Sequence, residues 1–157
     1  MNMNRREVLK ASGGTTVMAL MISVGLLKSG DVAAQEWNKN AFEAKNLNDT
    51  VKALGGTAAT ESKDITFVNA PDIAENGAVV PVGVQSKIPK TEMIAILVEK
   101  NPNSLSASFT IPDGTEATVS TRVKMGQTSN VHAVVKAEGK FYYATKEIKV
   151  TLGGCGG

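Results

Sequence analysis

From residue 62 onward the apolar positions fall in short runs separated by Gly, Pro, Asn and Asp. Runs rich in Val, Ile, Thr and Phe at 64–69, 78–86, 91–100, 105–111, 116–125, 130–137 and 140–151 each predict a strand. The 116–125 run alternates strictly. Ala117, Val119, Val123 and Met125 lie on one face, and Glu116, Arg122 and Lys124 on the other, as in a half-buried antiparallel strand. Glu138 and Gly139, between the last two runs, predict a tight hairpin turn. Pro81 cannot donate a ladder hydrogen bond, so the 78–86 run reads as an edge strand or a bulged one.

Before these runs the period changes. Ala41, Ala44, Leu47, Val51 and Leu54 recur at a three-to-four spacing, which predicts one helix over 37–54. Trp37 and Phe42 extend its apolar face, and Gly55 and Gly56 stop it. Its apolar side implies packing on the domain or on a partner. About seven short strands without alternating helices point to an all-β fold: an immunoglobulin-like antiparallel β-sandwich with an N-terminal helix. The Cys…Trp…Cys core of antibody domains is missing, so the likeness is one of architecture. His132 sits in a strand between Val131 and Ala133 and reads as an ordinary strand histidine, while Met93 and Met125 read as core. Asn76 and Gly77 form a turn signal inside the distinctive 72–84 stretch, whose chemistry the spacing does not give.

The last predicted strand runs through Ile148, Val150 and Leu152 directly into Gly153, Gly154, Cys155, Gly156 and Gly157. Glycine makes up about 7% of average chains, so four of them around the only cysteine is not background composition. The four glycines lack Cβ atoms, so residues 153–157 read as a bare, flexible tether that spans roughly 17 Å when extended. No His, Lys or Arg on the tether lowers the thiol pKa, and no base is positioned beside it. The pattern therefore favours a carried thiol over a catalytic one, and a thiol redox enzyme fits poorly. A frayed, functionless tail and an artefact tail remain open from spacing alone. A prenylation box fails because it needs Cys one position further from the end. A terminal Gly-Gly activated through its carboxylate would need neither Cys155 nor export.

The start of the chain changes the picture through its compartment. Arg5 and Arg6 precede a mildly apolar stretch from Thr16 to Leu27, and the small residues Ala33 and Ala34 follow. This is the layout of a cleaved export signal, and the apolar run is too short to cross a bilayer comfortably. The paired arginines followed by Glu, Val, Leu and Lys resemble the twin-arginine motif, with Asn4 and Val8 as mild departures. The competing reading is an amphipathic helix on a cytoplasmic protein. Cleavage after Ala34 gives a signal over 1–34, a sandwich with its helix over 35–152 and an arm over 153–157.

The signal takes four of the 17 basic and two of the 15 acidic residues, so the mature chain is formally neutral. Nothing in it suggests nucleic acid. With one Cys and one His, no metal-ligand or haem-attachment spacing exists and no cofactor is expected. A protein partner is then the better reason for export in the folded state. In an oxidising periplasm a lone thiol stays free, cross-links or carries cargo.

With signal, sandwich and arm assembled, the full chain resembles the SoxY family of thiosulfate carriers of the bacterial sulfur-oxidation (Sox) system. The resemblance rests on residues 153–157 after Val150, Thr151 and Leu152. It is supported by 72–77 (Asp-Ile-Ala-Glu-Asn-Gly) with 80–82 (Val-Pro-Val), 98–102 (Val-Glu-Lys-Asn-Pro) and 122–126 (Arg-Val-Lys-Met-Gly). It implies a periplasmic non-enzyme that holds sulfur intermediates covalently on Cys155. It also implies an obligate heterodimer with SoxZ. The haem-containing SoxAX would load the carrier, the SoxB hydrolase would release sulfate, and SoxCD, where present, would oxidise the remaining sulfur. The rival from another class is a structural sandwich dimerised through a Cys155 disulfide.

Overall fold

The computed structural model describes residues 38–151. Two short helices, α1 (Lys39–Glu43) and α2 (Leu47–Ala53), precede nine strands. These are β1 (Ala59–Glu61), β2 (Ile65–Phe67), β3 (Ile73–Ala74), β4 (Val80–Ser86), β5 (Thr91–Val98), β6 (Leu105–Thr110), β7 (Thr118–Val123), β8 (Ser129–Ala137) and β9 (Lys140–Val150). The larger sheet runs β1-β9-β8-β5-β6, with β3 also on β9, and the smaller runs β2-β4-β7. All seven expected strands are present, and their two sheets pack as an immunoglobulin-like sandwich.

Alternation decides what each face buries. Ile94, Ile96, Val98, Val131, Ala133, Val135 and Ile148 point inward from the larger sheet and meet Ile65, Val80, Val82, Val84, Val123 and Met125. Burying each such large side chain is worth about 1.5–3 kcal/mol. The intervening residues Ala95, Leu97, Val134 and Phe141 point outward and form a second core with Ala41 and Val51 of the helices and with Leu105. Both faces of β5 and β8 are therefore covered, which is why those runs read as nearly continuous apolar stretches. The β7 alternation holds as expected, with Val123 and Met125 buried and Arg122 and Lys124 exposed. Met125 lies in the central core, whereas Met93 is partly buried beside the second one.

The single helix expected over 37–54 is two helices, and its first residue, Trp37, lies outside the described residues. Ala44 is extended, and its carbonyl accepts from Ser104 N–H (3.1 Å) rather than from a following helical turn. Asn46 then caps α2 by accepting from Asp49 N–H at 2.9 Å. The apolar spacing runs through this break because both helices face the same core. Helix α2 stops at Gly55 as expected: Gly56 N–H bonds Val51 O and Gly55 N–H bonds Lys52 O, a Schellman ending.

Glu138 and Gly139 both have positive φ (49° and 74°), as a type I′ hairpin turn requires. Strand β4 is central in its sheet rather than an edge. Gly83, on the same side of the strand as Pro81, exchanges hydrogen bonds with Val68 and Asn69. Pro81 lies beyond that last contact, so its missing N–H leaves no ladder bond broken. The sandwich is not wholly antiparallel, because β1 and β3 both pair parallel to β9.

Candidate functional site

The expected site residues Cys155, Gly153, Gly154, Gly156 and Gly157, and the signal residues Arg5 and Arg6, all lie outside the described residues. The structure describes instead the point from which the 153–157 segment leaves the domain. Strand β8 pairs with β9 from the hairpin up to Ser129 opposite Ile148, and no further. Beyond Ile148 the backbone is held from the other side. Lys149 N–H bonds Asp72 O at 3.0 Å and Thr151 N–H bonds Ala74 O at 3.1 Å. Ile73 and Ala74 run in parallel register with Lys149 and Val150. Val150 N–H donates to Thr128 Oγ1 at 3.0 Å.

The 72–77 stretch that supplies these contacts is itself fixed. Ala74 is buried in the main core while its neighbour Ile73 faces solvent. Asn76 Oδ1 accepts from Ala78 N–H at 2.9 Å and closes the expected turn. Gly77 O accepts from Met125 N–H at 2.7 Å. A Cβ on Gly77 would run into the Met125 carbonyl and stand 2.8 Å from a Val150 methyl, so only glycine lets this backbone approach β9. Lys146 Nζ, on the same strand, donates to Ala70 O (2.6 Å) and pairs with Asp72 Oδ1 (2.9 Å). The hydrogen bond and charge of Lys146 hold the Asp72 carboxyl below the usual carboxylate range. Ile73, Val79 and Val68, all within or beside this stretch, are about half exposed despite their size.

His132 lies on the outer face of the larger sheet. Its Nδ1 is 2.8 Å from Thr145 Oγ1, and its Nε2 is 3.7 Å from Glu99, which also accepts from Asn130 at 2.9 Å. The Tyr143 ring meets it edge-on at 6.4 Å. Burial pushes its pKa down, and the Glu99 carboxylate offsets part of that shift. It is a satisfied strand histidine, as its sequence position suggested. At the opposite end of β9, a depression is lined by Lys87, Lys90, Glu92, Asp113 and Glu138, of which Lys90 and Glu138 form an exposed ion pair at 2.6 Å. Among the described residues no group of three or more His, Cys, Asp or Glu side chains is placed to hold a metal ion.

The feature that sequence reasoning missed is the partnership of 72–77 with the end of β9. Its one local signal was the Asn-Gly turn, and a two-residue strand carries no readable period.

The fold defines a small immunoglobulin-like β-sandwich domain whose last strand leads toward a glycine-flanked cysteine. Residues 51–155 match the family model described as sulfur oxidation protein SoxY. The chain belongs to the SoxY family of sulfur carriers. It is similar to the sulfur carrier protein SoxY from Chlorobium limicola f thiosulfatophilum, at 40% identity and a TM-score of 0.58, over 66% of this chain and 96% of that one. The superoxide reductase (neelaredoxin) of Ignicoccus hospitalis superposes over 55% of this chain and 80% of its own, at 19% identity and a TM-score of 0.48, and nothing about function follows from it. Comparison with curated proteins returned no match.

Proposed function

We propose that this chain is a periplasmic carrier that holds thiosulfate-derived sulfur on Cys155 and presents it to the enzymes of the Sox pathway. The observation that carries this reading is that the family match runs to Cys155 itself. The bare glycines around Cys155 agree with it, because a thiol without bulky neighbours can enter a narrow channel in another protein.

The chemistry is a two-electron oxidation followed by hydrolysis. Cys155–SH and thiosulfate join through a new S–S bond, the thiol proton is lost, and two electrons pass to the haem-containing loading enzyme, SoxAX. Water then cleaves the bond between the outer sulfur and the sulfonate, in the SoxB site. Sulfate leaves, and a persulfide remains on Cys155 for SoxCD, where that enzyme is present, or for transfer elsewhere. The carrier itself supplies no catalytic group to either step. SoxZ is its proposed heterodimer partner, and residues 1–34 are its twin-arginine-type export signal.

Intact-mass spectrometry of the mature protein from thiosulfate-grown cells, with and without reductant, tests this. A reductant-labile sulfur–oxygen adduct on Cys155 is expected, and Cys155→Ser should fold normally while carrying none. A bare thiol or only a disulfide dimer, in cells whose Sox enzymes are active, would refute the carrier.

A further inference from the structure

The end of β9 is built in two parts. Up to Ile148 it belongs to the sheet and is paired with β8. From Lys149 to Thr151 it has no strand on that side, and its backbone hydrogen bonds go to the carbonyls of Asp72 and Ala74 and to the Thr128 hydroxyl. The 72–77 segment is in turn tied down by Gly77 on Met125 and by Lys146 on Asp72 and Ala70. Ile148 is the last fully buried side chain on β9; Val150 packs part-buried against the edge of the main core, while Lys149 and Thr151 are exposed and are held through their backbone N–H groups.

We infer that residues 72–77, with Thr128, form a clamp on the root of the carrier arm. The clamp fixes the backbone through Thr151 and so sets the length and exit direction of the tether that bears Cys155. Asp72, Ala74, Gly77 and Thr128 are positioning residues, acting through β9 and touching no cargo. With the clamp closed, the four residues from Thr151 to Cys155 reach at most roughly 14 Å. With it open, the free chain begins at Ile148 and the reach grows to roughly 24 Å. The thiol is then spread through a volume roughly five-fold larger, so its effective concentration at a docked enzyme's entrance falls by about that factor. The inference rests on the carrier reading for its use, but its geometry can be tested without any cargo.

The test uses the native Cys155 and a second spin label at Lys140→Cys, an exposed position at the far end of the same strand. Double electron–electron resonance then reads the distance distribution in the full chain. Gly77→Val, which places a side chain against Met125 and Val150, should extend the spread by about 10 Å, the length of three strand residues. Thr128→Val removes only the acceptor for Val150 N–H, so it tests the same point if Gly77→Val does not fold. Thr128→Ser keeps the hydroxyl and should restore the narrow distribution. With the purified loading enzyme, the opened variants should lower kcat/KM about five-fold. Distributions that are the same in every folded variant would overturn the clamp, even if Cys155 carries sulfur. Distances that move as expected, with no sulfur ever found on Cys155, would instead overturn the carrier reading and leave the clamp standing.

Discussion

At the scale of single residues, His132 shows how a sandwich face tunes a titratable group that its sequence neighbours leave unexplained. Its partners come from the adjacent strands: Glu99 just past the end of β5, and Thr145 and Tyr143 on β9. Burial is the larger influence and lowers its pKa below the ordinary 6.5. The unfolded chain therefore binds more protons than the folded one just below pH 6.5, and stability rises with pH through that window. The contribution is intact above 6.5 and is lost as pH falls from there through the folded-state value. Urea unfolding at pH 7 and pH 5 should show a lower midpoint at pH 5, and His132→Gln should flatten that difference. An unchanged pH slope in the variant would assign the effect to the carboxylates. The sequence placed His132 on a strand correctly but left its partners blank, because strand neighbours are set by register and not by proximity along the chain.

At the scale of elements, what was legible is what has a local period. The strands from β4 to β9 carry alternation or sustained apolar runs of six residues or more, and each lies where those patterns put it. The helix was misread as one piece because Ala41, Leu47 and Val51 share a face across the break. The break is imposed from outside, by Ser104 taking the Ala44 carbonyl. Strands β1 and β3, of three and two residues, were missed altogether, since each is defined only by a partner about eighty residues away. The two helices cover the part of the larger sheet's outer face around Ala95, Leu97, Val134 and Phe141, so that part is a core and not a surface. Leu97, fully buried beneath them, tests this. Leu97→Ala should cost about 2–5 kcal/mol in urea unfolding. A loss within a few tenths would mean that the helices lie loosely on the sheet.

At the scale of the whole molecule, the proposed carrier separates a rigid body from a reactive tip, and the proposed signal delivers that body already folded. Replacing Arg5 and Arg6 with lysines should leave the unprocessed precursor in the cytoplasm, as read by cell fractionation and immunoblotting. Normal periplasmic levels of the mature form would point to a different export route. How β9 is anchored bears on when the domain finishes folding. Its start pairs with residues 59–61 and its end with residues 73–74, so both grips join segments far apart in the chain. Contacts of such long range form late, because the entropy of closing large loops must be met before they hold. Partly folded molecules can already possess every strand of the antiparallel hairpins and still lack both parallel grips. The hold on residues 149–151 is thus a mark of late folding: it exists only in molecules whose 59–74 and 140–151 segments have already found each other.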